Sequence, residues 1–82
     1  MTSPIISAKE IHTQTDKMVY AICDKLIEKV MENIHFQSMN GYYMTSLNVK
    51  EYNSNSLNRV IDMLKNNGYI LVYKNNIITI RW

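Results

Sequence analysis

The chain has 82 residues, with nine Lys or Arg against seven Asp or Glu, a formal net charge of +2, 46% hydrophobic residues and 20% charged ones. That balance excludes a disordered polyelectrolyte and falls short of the cation density of a dedicated nucleic-acid binder. The length allows one domain, 1–82, burying only about 60% of the surface its unfolded form exposes, so self-association is an expected source of extra stability.

The one cysteine, Cys23, permits no internal disulfide and points to a reducing compartment. With His12 and His35 it makes no ligand set at zinc spacing, and neither metal nor cofactor is expected. No apolar run approaches the roughly 18 residues of a membrane span. The first residues, MTSPIISAKE, lack a basic segment followed by an apolar one, so no signal peptide is expected.

Residues 1–6 read as a flexible lead containing the sole proline, Pro4. Ser7-Ala8-Lys9-Glu10 then reads as a capping box, with Ile6 at the staple position. From there to about His35 no Gly or Pro intervenes. Ile11, Met18, Val19, Ile22, Leu26, Val30 and Ile34 fall on one face of a long helix over 7–35. At 1.5 Å per residue such a helix is about 42 Å long, more than the width of so small a globule. Its first turns are therefore expected to project and to meet a partner chain. The alternative is a break near Thr13 to Asp16, where helix propensity is lowest.

Asn40-Gly41 is a turn signal, and Tyr42 to Val49 reads as a strand with Tyr43, Thr45, Leu47 and Val49 on one face. Asn53 to Ser56 supplies capping residues for a second helix, whose stripe is Leu57, Val60, Ile61 and Leu64. Gly68 is placed to end that helix in a left-handed conformation, with Tyr69 packing back. Ile70 to Tyr73, a turn at Lys74-Asn75-Asn76, and Ile77 to Trp82 make a hairpin. The expected fold is α+β: a long N-terminal helix, then a strand–helix–hairpin unit over 42–82. The strand joins the hairpin in a three-stranded antiparallel sheet, with the helices on one face and Trp82 covering one end of the core.

Three stretches carry a resemblance. Near its start the chain has Ile6-Ser7-Ala8-Lys9-Glu10; it reads VIDMLKNNGY at 60–69 and ends ITIRW. It resembles a family of small phage proteins with a Ser-Ala-Lys-Glu helix cap, a Leu-x-x-x-Gly-Tyr helix end and a closing Ile-Ser-Trp hairpin. Leu64 to Tyr69 and Ile80-Arg81-Trp82 match, with Arg81 in place of the small residue; the middle, 35–56, does not match. These anchors are structural, so the resemblance implies fold and origin. A phage origin implies the cytoplasm of an infected bacterium, and a counter-defence role of binding a host factor or soaking up a host signal.

The residues show no phosphate-binding glycine loop, no paired carboxylates and no Ser/His/Asp pattern, so a non-catalytic protein is expected. Cys23, beside the apolar stripe, reads as a buried, inert thiol. Sequestration of a nucleotide-derived signal needs oligomers, aromatic platforms and cations for phosphate. Tyr43, Arg59, Tyr69, Tyr73 and Arg81 are the candidate ligand-binding residues, although tyrosines also commonly line sheet faces and edges. A protein-directed inhibitor would read the same way. The alternative function is a winged-helix nucleic-acid binder. Arg59, Lys65 and Lys74 would be its contacts and Asn58 a base reader. Against it, a strand is expected where that fold needs a helix, and Asp62 lies on the exposed side.

Overall fold

The computed structural model describes residues 5–82, so the expected lead is described only at Ile5 and Ile6, with Pro4 outside the described residues. The elements run α1 (Ala8–Met39), β1 (Met44–Asn48), α2 (Ser54–Asn66), β2 (Ile70–Lys74) and β3 (Ile77–Arg81). The strands form one antiparallel sheet in the order β1-β3-β2. The α+β expectation holds in every element, with both helices on one side of the sheet.

The start of α1 follows from Ser7, whose extended backbone turns its Oγ to accept from the Glu10 amide at 3.2 Å. The helix is unbroken through Thr13 to Asp16 and continues to Met39, four residues past the expected end. Its close repeats at α2. Each helix ends Asn-Gly-Tyr, with Gly41 (φ 83°) and Gly68 (φ 93°) left-handed. Tyr42 N–H donates to the Gln37 carbonyl and Gly41 N–H to that of Ser38. Tyr69 N–H donates to Leu64 and Gly68 N–H to Lys65. This is the Schellman pattern twice over, and each Asn amide also donates back, to Phe36 and to Met63.

The core is one cluster. Val19, Cys23, Leu26, Val30 and Ile34 of α1 meet Leu57, Val60 and Leu64 of α2, with Leu47, Val49, Ile78 and Ile80 beneath. Ile11 and Met18 were expected on that face, yet are 45% and 57% exposed. The cause is rotation: at about 100° per residue Ile11 and Met18 lie roughly 100–120° round the helix from the buried line Val19, Cys23, Leu26, Val30 and Ile34. α1, about 48 Å long for its 32 residues, also outruns α2. The molecule is correspondingly drawn out, 62 × 23 × 17 Å.

β1 is shorter than the expected 42–49. Thr45, Leu47 and Val49 are buried as expected, but the Tyr43 ring is 76% exposed. Tyr43 keeps only its backbone in the sheet, its carbonyl accepting from Trp82 N–H at 3.0 Å. Trp82 is half-buried against the core, which fixes the C-terminal end on both its backbone and its ring.

Cys23 is buried, and its thiol donates to the Ser56 carbonyl at 3.4 Å. Ser56 itself has no exposed surface, and its Oγ lacks a hydrogen-bond partner. An unpartnered buried hydroxyl is destabilising, so Ser56→Ala is expected to stabilise the protein by about 1 kcal/mol. In a thermal melt that is a rise of roughly 4–8 °C for a domain this size; a fall would mean the hydroxyl has a partner.

Candidate binding groove

The two helices leave a groove between them on the side away from the sheet's outer face. Its first bay, about 260 Å³, includes Tyr20, Ile27, Arg59 and Met63 among its walls. The second, about 320 Å³, shares Ile27 and Met63 and adds Met31, Asn67 and Tyr69. The third, about 430 Å³, shares Met31, Asn67 and Tyr69 and ends on His35 and Trp82. The shared walls join the bays into one channel. From Tyr20 to His35 along α1 it is about 22 Å long, at 1.5 Å per residue.

Each end has its own chemistry. At one, the Arg59 guanidinium lies 5.1 Å from the centre of the Tyr20 ring, and its Nη1 donates to Tyr20 Oη at 3.4 Å. Asp24 and Asp62 line the same bay, which gives this end both signs of charge. At the other end Tyr69, Trp82 and His35 line the third bay together. Between them the walls are apolar, with Met31 40% and Met63 49% exposed. Methionine side chains are flexible and polarisable, which suits an adaptable apolar contact.

Of the five expected ligand-binding residues, Arg59 and Tyr69 line this groove, at different bays. Tyr73 stands on β2 at the edge of the sheet, 48% exposed. Arg81 is on the outer face of the sheet, between Met44 and Ile70 in register, and Tyr43 is exposed beside Trp82. The five do not converge. The structure adds Tyr20, Met31, Met63, His35 and Trp82. The recurring Asn-Gly-Tyr closes were a signal for the second bay, since they bring Asn67 and Tyr69 to one place. Nothing in the sequence pairs Tyr20 with Arg59.

Among the described residues, no three His, Cys, Asp or Glu come together to hold a metal ion. No described helix is long and apolar enough to cross a membrane. No family model, curated protein or solved structure matches the chain.

Proposed function

We propose that the protein is a non-catalytic binding protein that captures an amphipathic segment of a partner protein in the α1/α2 groove. The observation that carries this reading is the groove itself, an apolar channel about 22 Å long and walled by two methionines, which is the form of a helix-in-groove site. The exposed first turns of α1, with Ile11 and Met18, provide a contact between copies of the chain. The phage resemblance makes the partner a host protein, met in the cytoplasm of the infected bacterium, and the role counter-defence. A nucleotide-derived signal is served less well, because Asp24 and Asp62 line the bay that holds Arg59 and Arg81 is on another face.

Native mass spectrometry of the protein drawn gently from host cells, with and without added nucleotides, tests the reading. A host protein is expected to accompany the wild type, to be lost from Met63→Glu and to persist on Arg81→Ala. Stoichiometric nucleotide uptake, indifferent to Met63→Glu, would overturn it.

Nucleic-acid binding is a second reading, favoured by one contact. Val49 N–H donates to the Asn76 carbonyl at 2.8 Å, which ties the hairpin tip to the approach to α2 and brings Lys50 and Lys74 to one end. Asn58 and Lys65 are exposed on α2. However, 49–53 holds a turn where a helix would be needed, and Arg59 is engaged with Tyr20. Salt-dependent affinity for duplex DNA, weakened by Lys74→Ala, would support it.

A further inference from the structure

One hydrogen bond fixes the hydrogen-bonding phase of the whole sheet. Trp82 N–H donates to the Tyr43 carbonyl, so Trp82 turns its backbone groups toward β1. Bonded and non-bonded pairs alternate along an antiparallel ladder. Ile80 and Ile78 therefore also face β1, while Arg81, Thr79 and Ile77 face β2. Their partners there are Ile70, Val72 and Lys74. The turn agrees: Asn75 (φ 52°) and Asn76 (φ 62°) are both left-handed, as a two-residue hairpin closing on Lys74 and Ile77 requires. Leu71 and Tyr73 are left with N–H and C=O directed out of the sheet at its free edge.

That edge lacks the usual protection. It has no proline and no bulge, and its one charge, Lys74, is at the end. It is also apolar: Ile70 is 65% and Val72 60% exposed on the outer face, and Tyr73 is 48% exposed toward the core side. β1, the other edge, differs. Ser46 and Asn48 are on its outer face, and its inward residues Thr45, Leu47 and Val49 are already buried. Of the β1 residues only Met44, at its start, leaves apolar surface exposed, at 45%, whereas β2 has Ile70, Val72 and Tyr73 left to cover.

We propose that β2 pairs antiparallel with β2 of a second copy, about a two-fold axis through Val72, to make one six-stranded sheet. The proposal is independent of the groove. Outward groups belong to Leu71 and Tyr73, which leaves three symmetric registers. Centring on Leu71 would set Tyr73 against Tyr69 of the second copy, whose N–H is committed to the Leu64 carbonyl at 3.1 Å. Centring on Tyr73 would set Leu71 against Asn75, in the left-handed turn. Centring on Val72 pairs Leu71 with Tyr73 of the second copy in both directions. All the outward groups of both residues are then satisfied, by four interchain bonds.

Side chains agree with that register. On the core side each Tyr73 ring lies beside Leu71 of the second copy, covering the surface left open at the edge. On the outer face Val72 meets Val72. Lys74 falls opposite Ile70, so the two lysines stand about 14 Å apart along the strands at 3.4 Å per residue. That exceeds the screening length of about 10 Å at 0.1 M salt.

Amide hydrogen exchange followed by NMR over a dilution series tests this directly. At high concentration the Leu71 and Tyr73 amides are expected to exchange as slowly as that of Val72. On dilution, or in Val72→Lys, they are expected to speed up at least about tenfold, since like charges would face each other across the axis. The Val72 position and Lys74 amides stay slow because they are bonded to β3. Tyr73→Pro removes an outward donor without touching the β3 ladder and is expected to abolish pairing, whereas Tyr73→Ala keeps the donor and retains it. Leu71 and Tyr73 amides that are fast at every concentration, even in an oligomer held through α1, would overturn the proposal. So would slow exchange that survives both dilution and Val72→Lys.

Discussion

Replacing Ile80 with alanine is expected to cost about 4 kcal/mol, the upper part of the range for truncating a fully buried isoleucine. Ile80 has no exposed surface. It lies in the central strand, between Thr45 of β1 and Leu71 of β2, facing the helices. Its neighbours are held by backbone ladders on both sides, so the hole has little room to collapse. A domain of this length has a total stability of roughly 4–12 kcal/mol, at 0.05–0.15 kcal/mol per residue. The loss is therefore a third of the whole or more. In urea, with a slope of about 1.5 kcal/mol per molar, the midpoint would fall by about 2.7 M at unchanged slope. Ile77→Ala, three residues earlier on the outer face and 37% exposed, is the control and should lose under about 1 kcal/mol. Equal losses at the two positions would mean that the helices do not close on the inner face.

Deleting Trp82 is expected to cost about 2 kcal/mol, less than the 3–5 kcal/mol of a fully buried tryptophan. Two losses add. The ring leaves its contacts against the core, and the bond to the Tyr43 carbonyl disappears from the end of the β1–β3 ladder. Trp82→Phe keeps the bond and part of the ring, so it should recover about half. Since this is the only tryptophan, unfolding should be followed by circular dichroism. The deletion also removes a wall of the third bay, so capture of the partner should weaken more in the deletion than in Trp82→Phe. A stability loss well under 1 kcal/mol would mean that the ring does not pack.

The fold was largely legible because its signals are local. Ser7, Gly68, the Asn75-Asn76 turn and the stripes of both helices each specify their own few residues. The end of α1 was missed because the apolar stripe stops at Ile34, while the terminating signal, Asn40-Gly41-Tyr42, comes later. The same three residue types at 67–69 mark the end of α2 plainly, since there stripe and close adjoin. Ile11 and Met18 lie seven residues apart, and Met18 four from Ile22, yet both are about 100–120° round the helix from the buried line Val19, Cys23, Leu26, Val30 and Ile34. Which edge of a broad apolar stripe the core takes is decided by the packing of α2 and the sheet, which periodicity does not encode. The groove was mostly illegible for a related reason. Tyr20 and Arg59 are 39 positions apart, and only the crossing of two helices brings them together. Composition suggested aromatic and cationic residues as a set, whereas the sheet separates Arg81 from Arg59 by putting them on different sides.

The projecting first turns of α1 also alter how the protein moves through solution. The radius of gyration is 16.3 Å, against about 12 Å for a compact globule of this length. By the same scaling it equals that of a globule of roughly 190 residues. On a gel-filtration column calibrated with spherical standards, a single chain would elute ahead of its mass and pass for a dimer. Its diffusion would be anisotropic, faster along the helix than across it. Subunit number must therefore be read from a method that weighs the particle, such as light scattering or sedimentation equilibrium, and not from one that sizes it.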